Sequence, residues 1–106
     1  MSPHPSRLVI VAAVAALAAA SGVGCGGTLY ALQANAAASK VEQAKQLGAE
    51  SLAPYEFTYA REHMTKAMSE AAEGDYSDAI GLAEVAEDYA DRAIKLARAA
   101  HRGAGR

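Results

Sequence analysis

Large aromatic and sulfur-bearing side chains are scarce in this chain of 106 residues. It contains no tryptophan, one phenylalanine and one cysteine, Cys25. A single cysteine excludes a disulfide within the chain and a cysteine-rich metal site. Because large rings are few, any core must be built mainly from aliphatic side chains, among which alanine is the commonest.

An excess of positive charge is also missing, since the formal net charge is −2. Proteins that bind nucleic acid without sequence preference need a surplus of lysine and arginine to displace counterions from phosphates. We therefore expect no nucleic-acid partner. The length of the chain limits it to a single domain.

Charged residues are absent between Arg7 and Lys40. Arg7 precedes the apolar run LVIVAAVAALAAA, residues 8–20, and small residues follow that run. This order predicts a secretory signal peptide, which we place at residues 1–24. The run is shorter than the roughly 20 residues that a membrane-spanning helix needs. If the run is extended through the apolar and small residues that follow it, its length comes closer to this requirement. An uncleaved N-terminal anchor is therefore the alternative.

The tetrapeptide GVGC resembles the lipobox of bacterial lipoprotein precursors, with Gly22, Val23 and Gly24 ahead of Cys25. In those precursors the cysteine is acylated, for example with palmitate, and becomes the mature N-terminus. Lipidation would also protect a thiol that is exported to an oxidising compartment without a partner. Gly22 stands where leucine is usual, so ordinary signal-peptide cleavage after residues 18–20 remains open, with Cys25 as a small residue near the cleavage site.

Lipidation of Cys25 predicts a membrane anchor, because each buried methylene of an acyl chain contributes about 0.8 kcal/mol. Residues 25–28 are then the lipidated cysteine and a flexible glycine-rich tether. Gly26 in place of aspartate after the cysteine resembles lipoproteins sorted to the outer membrane. We expect an outer-membrane anchor that faces the periplasm, with an inner-membrane anchor as the alternative.

Beyond the N-terminal region the chain has only one proline, Pro54, and its apolar residues recur three and four positions apart. This spacing predicts an all-α fold, a small antiparallel three-helix bundle with helices near 29–48, 54–73 and 75–102 and a flexible tail at 103–106. The core faces predicted for the first two helices are Tyr30, Ala34, Ala37, Val41 and Ala44, and Phe57, Ala60, Met64, Ala67 and Ala71.

The third predicted helix has the most regular pattern, a row of alanines that we call the alanine seam. The seam consists of Ala79, Ala83, Ala86, Ala90, Ala93 and Ala97. Small side chains let helix backbones approach to the low end of the usual 8–10 Å range, about 8 Å. Larger neighbours must then supply the hydrophobic energy, namely Ile80, Leu82, Val85, Tyr89, Ile94 and Leu96.

The segment AAEGDYSDAIGLAEVAEDYADRAIKLA resembles the turn and second helix of a tetratricopeptide unit, with Gly74, Asp75 and Tyr76 at the turn. One hairpin is not a repeat array, because arrays need about three units. Over residues 29–100, GAESLAPYEFTYAREHMTKA, with Pro54 at a helix start, and GDYSDAIGLAEVAEDYADRA resemble the family catalogued as domain of unknown function 4398. That family consists of small bacterial envelope proteins, often lipoproteins, and the resemblance implies no activity.

No pattern of residues predicts catalysis, a cofactor or a metal site. The histidines His63 and His101 have no second histidine four positions away, and no glycine-rich phosphate loop is present. We expect these histidines to be solvated. Four carboxylates at helical spacing are expected to form a solvated face, with a weak cation site as the alternative: Glu84, Glu87, Asp88 and Asp91. Four tyrosines are expected in the core, with a partner-binding groove as the alternative: Tyr55, Tyr59, Tyr76 and Tyr89.

We therefore expect a non-enzymatic, lipid-anchored periplasmic helical protein with a structural or adaptor role, which holds an envelope protein near the membrane. The alternative is a coiled-coil subunit of a membrane or envelope complex, anchored by an uncleaved N-terminal helix. The C-terminal AHRGAGR has no lysine for covalent attachment to the cell wall. Its basic residues leave non-covalent contact with anionic cell-wall polymers open.

Overall fold

The described part of the chain folds into four helices. The computed structural model describes residues 5–105, with the side chains of Val9 and of residues 25–105. The helices are α1 (Pro5–Gln46), α2 (Ala49–Leu52), α3 (Pro54–Ala72) and α4 (Tyr76–Ala104). The described part of the chain contains no strand, so the predicted all-α fold is confirmed.

The three long helices form an up-down-up bundle in which α4 packs against both α1 and α3, with a smaller contact between α1 and α3. Helices α1 and α4 run parallel. The rings of Tyr30 and Tyr76 meet at one end of the pair, with centroids 6.2 Å apart. At the other end Nε2 of His101 donates to the carbonyl of Leu47 at 2.7 Å. Helix α3 runs antiparallel to both, because the chain reverses at α2 and again at Gly74.

The core between the long helices is built largely from alanine. All six residues of the alanine seam are 0% exposed. Seam residues cluster with fully buried alanines of the other helices, which are Ala37 and Ala44 of α1 and Ala67 of α3, and Ala60 of α3 is fully buried as well. Small side chains on all three helices therefore set how closely the backbones approach.

Two large side chains fill the end of the bundle near α2. Phe57 and Ile94 are each 2% exposed and form one cluster with buried alanines of α1, α2 and α4. The prediction that Leu96 contributes to the core is wrong, since this residue is 45% exposed. It immediately precedes the seam residue Ala97, and one helical position rotates a side chain by about 100°.

The helix boundaries differ from the predicted ones in three places. The predicted stop at Gly48 is correct, with φ +79°, but the chain then forms the additional short helix α2. Helix α4 continues to Ala104, into the predicted tail. Residues 25–28, the predicted tether, are helical and belong to α1.

The helical conformation of residues 25–28 has a physical reason in the neighbouring helix. The side chain of Tyr76 lies across Gly26 and Gly27, and a Cβ at Gly26 would be 3.3 Å from its Cδ2. Glycine costs about 1 kcal/mol in a helix relative to alanine, and this contact offsets part of that cost. A continuous helix also satisfies the backbone N–H and C=O groups that a linker would leave to solvent.

The turn between α3 and α4 is fixed by three successive residues. Gly74 has φ +83°, in the left-handed region that favours glycine. Asp75 is the N-cap of α4, and its Oδ1 accepts a hydrogen bond from the backbone N–H of Asp78 at 3.4 Å. Tyr76 then begins α4 and contacts α1. Pro54 starts α3 at the first helical position, where its missing N–H costs nothing.

Candidate functional site

A row of stacked side chains covers the outer surface where α3 meets α4, and we call it the aromatic ladder. Helix α3 supplies Tyr55, Tyr59 and His63, which are four positions apart and so lie on one strip of the helix. Helix α4 supplies Tyr89 and Arg92. The ladder joins the two helices through side chains outside the alanine core.

Tyr59 lies at the centre of the aromatic ladder. Its ring centroid is 4.1 Å from that of His63 and 4.1 Å from that of Tyr89. Two rings cannot occupy the same face at this distance, so Tyr59 has a ring on each side. The guanidinium of Arg92 lies over Tyr89, 4.6 Å from its centroid. Tyr55 meets Tyr89 edge-on, with centroids 6.4 Å apart.

Hydrogen bonds and charges hold the ends of the ladder in place. Nδ1 of His63 is 2.9 Å from the backbone carbonyl of Tyr59. A carbonyl oxygen only accepts, so Nδ1 carries the proton and donates. At the other end Arg92 pairs with Asp88 at 2.9 Å. The rings and the guanidinium are therefore oriented by contacts within the chain itself.

The ladder is open to solvent at its edges. Tyr55 is 64% exposed, Tyr59, His63 and Tyr89 are half-buried, and Arg92 is exposed. Two shallow grooves flank the ladder, with volumes of about 360 Å³ and 370 Å³. The first is lined by Pro54, Tyr55, Thr58, Tyr59 and Glu62, and the second by His63, Lys66, Glu70, Ser77, Asp78, Gly81, Leu82 and Val85. The surface as a whole is partly apolar and pre-ordered.

Several carboxylates on the acidic face of α4 are engaged by neighbouring side chains. Glu87 accepts a hydrogen bond from Gln33 of α1. Asp91 accepts from Lys40 of α1 and pairs with Lys95 of its own helix, both at 3.3 Å. Hydrogen bonds from Lys40 and then Lys95 hold the pKa of Asp91 below its ordinary value of 3.8. The contacts from Gln33 and Lys40 join α4 to α1, and together these pairings give no support to the alternative of a cation site on this face.

A second acidic group lies at the N-terminus of α4. Carboxylate oxygens of Glu70, Asp75 and Asp78 are within 4.8 Å of one another. Asp75 already caps α4, and Asp78 lies in its first turn, where the helix dipole favours negative charge. Capping and the helix dipole therefore account for the positions of Asp75 and Asp78.

Cys25 is exposed on α1 at the end of the bundle where α1 meets the start of α4. The predicted lipobox residues Gly22, Val23 and Gly24 fall within α1, but their side-chain surroundings lie outside the described residues. From Tyr76 to Tyr89 the chain rises 13 residues along α4, which is about 20 Å. Cys25 and the aromatic ladder are thus separated along the bundle.

The sequence predicts the four tyrosines in the core, with a partner-binding groove as the alternative, and it does not predict the aromatic ladder. In fact Tyr76 packs on α1, whereas Tyr55, Tyr59 and Tyr89 line the outer surface. The spacing of Tyr55, Tyr59 and His63 contained the signal, because this strip lies roughly 100° around α3 from the core face. The expectation of a solvated histidine is wrong for His63, which is half-buried and stacks in the ladder. His101 is exposed to solvent as expected, and its ring also bonds to the carbonyl of Leu47, just after α1.

Helix α4 and the turn before it belong to a segment that is matched by a family model. The model of a domain of unknown function, DUF4398, matches residues 32–104. Searches of the curated proteins and of the solved structures give no significant match. The matched segment spans the C-terminal part of α1 and all of α2, α3 and α4. The chain belongs to the DUF4398 family.

Proposed function

We propose that this protein is a non-enzymatic adaptor of the bacterial cell envelope, lipid-anchored through Cys25, which binds a partner protein on the aromatic ladder. The observation that carries the adaptor role is the ladder itself, an exposed surface of stacked tyrosines and an arginine. Tyrosine and arginine are enriched among the residues that dominate protein–protein binding energy. Because the ladder is ordered by its own stacking, binding would cost little side-chain entropy.

The lipid anchor is supported by the sequence around Cys25 and by the exposure of its thiol. An acylated cysteine must project from the folded domain so that its chains can enter a bilayer. Gly26 after Cys25 favours the outer membrane with the domain in the periplasm, and the inner membrane is the alternative. Among the described residues no helix is long and apolar enough to cross a membrane.

A non-enzymatic role is supported by the way the polar groups are used. The ring nitrogens of His63 and His101 bond to backbone carbonyls, one within α3 and one between α4 and Leu47, in the turn after α1. Asp88 and Asp91 pair with basic side chains. These four groups, which could otherwise serve as general acids or bases, are therefore engaged in contacts within the bundle.

The anchor is tested by intact mass and radiolabelled palmitate incorporation on the membrane fraction of cells that express the native chain or Cys25→Ser. We expect acyl mass only on the native protein, on a chain that begins at Cys25. If both forms keep residues 1–24, or both are released soluble after cleavage near Ala20, the lipoprotein proposal is wrong.

The partner surface is tested by a photo-crosslinking residue placed in cells at Tyr55, in the ladder, or at Lys45, an exposed residue of α1 on a different surface. We expect a discrete crosslinked product from position 55 that is absent from position 45. The Arg92→Ala variant, which removes one end of the ladder, should weaken this product. Equal crosslinking from both positions would contradict the assignment of the ladder.

The coiled-coil alternative would need a surface other than the alanine seam. All six seam residues are fully buried against α1 and α3 of the same chain. A second chain would therefore have to pair through another face.

A further inference from the structure

One face of α1 remains uncovered next to Cys25. Leu29 and Leu32 are 60% and 64% exposed, although they lie in a described helix of a folded bundle. Cys25, Leu29, Leu32 and Ala36 follow one another at spacings of four, three and four. With about 100° of rotation per residue they fall within an arc of about 60°. We call these four residues the α1 stripe.

The α1 stripe points away from the bundle. The inward side of the same stretch is formed by Gly26, Gly27 and Tyr30, which contact Tyr76, and by Ala37, which is fully buried. These residues lie roughly 120° around the helix from the stripe. The leucines are therefore not part of the core and have no counterpart on α3 or α4 in the described residues.

The absence of charged residues around the α1 stripe favours an apolar surface as its partner. No charged residue occurs from Leu8 to Ser39, and the first charge after Cys25 is Lys40, which pairs with Asp91 of α4. The same helix continues on its N-terminal side into the apolar run of residues 8–20. A lipidated Cys25 and an uncleaved N-terminal anchor both place a bilayer at this end of α1.

We infer that the α1 stripe lies on the lipid surface, with Leu29 and Leu32 buried at the boundary between headgroups and acyl chains. This inference rests on the proposed membrane anchor and adds that the folded domain itself touches the bilayer. An interfacial helix binds through buried apolar area. Contact along about 16 Å of α1, the rise of the 11 residues from Cys25 to Ala36, would fix the orientation of the bundle on the membrane.

The absence of tryptophan makes the inference directly measurable. A Leu32→Trp variant of the full chain carries one fluorophore on the stripe. The matched control is Ala31→Trp, an exposed position one residue earlier and roughly 100° away around the helix. Both proteins are purified from the membrane fraction and reconstituted in phosphatidylethanolamine–phosphatidylglycerol vesicles with brominated acyl chains.

We expect the Leu32→Trp emission to be blue-shifted and quenched several-fold more strongly by brominated lipid than the Ala31→Trp emission. Equal and weak quenching in both variants would overturn the inference. The inference would also be overturned if the Leu32→Trp emission were not quenched by brominated lipid and the protein formed crosslinked dimers. That result would assign the stripe to contact with a second copy of the chain. The intact mass of the same samples shows separately whether Cys25 is acylated, so failure of the stripe and failure of the anchor are distinguished.

Discussion

Ala86 shows what a single buried residue contributes when the core is made of alanine. It is 0% exposed and packs in a cluster with Ala37, Ala67 and Ala83. We expect Ala86→Leu to destabilise the fold by about 1–3 kcal/mol, because added methylenes force helices apart. The matched control is Ala99→Leu on the exposed side of α4, which should change stability by less than about 0.5 kcal/mol. Urea unfolding followed by circular dichroism measures both, and equal midpoints would contradict a closely packed seam.

The hydrogen bonds to the carboxylate of Asp91 make the free energy of unfolding depend on pH. Its pKa is lowered by hydrogen bonds from Lys40 and Lys95, so its contribution is present above the ordinary value of 3.8 and is lost as pH falls through the folded-state pKa. We expect Asp91→Asn to flatten the decline in unfolding free energy below about pH 4. At neutral pH the loss should stay within about 1 kcal/mol, because the side chains of the pair are partly exposed to solvent.

The measurement for Asp91 is a set of denaturant titrations from about pH 2 to 7 on the native chain and the variant. Lys40→Gln is the companion variant, because it removes the larger of the two hydrogen-bond contributions while leaving Lys95 in place. It should flatten the acid decline in part. Parallel profiles for Asp91→Asn and the native chain would show that this carboxyl does not couple to folding.

At the scale of helices, the repeating spacing of apolar residues predicts the buried faces well, whereas single glycines and short turns predict the helix boundaries less well. The three-and-four spacing of alanines on α4 predicts the face that packs inward, because that face is determined by the helix period alone. Helix α2 was not predicted, since a single turn has no periodicity to detect. Residues 25–28 were expected to be a linker because glycines favour flexibility, but packing of Tyr76 on Gly26 overrides that local preference.

The candidate site is predictable from the sequence only in part, because some of its features depend on contacts between residues far apart in the chain. The sequence singles out Cys25 and the turn at Gly74, Asp75 and Tyr76, because each depends on neighbours in the chain. The aromatic ladder depends on the register between α3 and α4, which brings Tyr59 and Tyr89 together from positions 30 residues apart. Helical spacing within α3 shows that a strip exists, but not what faces it.

Gly74 in a turn and Gly81 in a helix are expected to respond differently to the same substitution, because their backbone conformations differ. Gly74 has φ +83° with no atom within 4 Å of a built Cβ, so Gly74→Ala should cost about 1–2 kcal/mol from backbone conformation alone. Gly81 lies inside α4 with equally open surroundings, and Gly81→Ala should stabilise by about 0.5–1 kcal/mol. The same substitution is therefore expected to have opposite signs, measured as shifts of the thermal midpoint. Shifts of the same sign would contradict the assigned turn.

For the whole molecule, the parallel arrangement of α1 and α4 gives the bundle two distinct ends. Cys25 lies at the end where Tyr76 contacts α1, and the aromatic ladder lies about 20 Å further along α4. A membrane contact and a partner contact can therefore be made at the same time without competing for one surface. This separation is what an adaptor requires.

The same arrangement predicts that the bundle is complete within one chain. Because α1 and α3 of the same chain bury the alanine seam, we expect the Cys25→Ser protein, which lacks the proposed acylation site, to melt at one temperature over an approximately hundredfold dilution in mild detergent. An obligate oligomer would instead melt at a lower temperature when diluted. A concentration-dependent midpoint would favour the coiled-coil alternative. In that case the double variant Leu29→Gln and Leu32→Gln would show whether the stripe is the interface, because it would abolish the dependence if copies pair through those leucines.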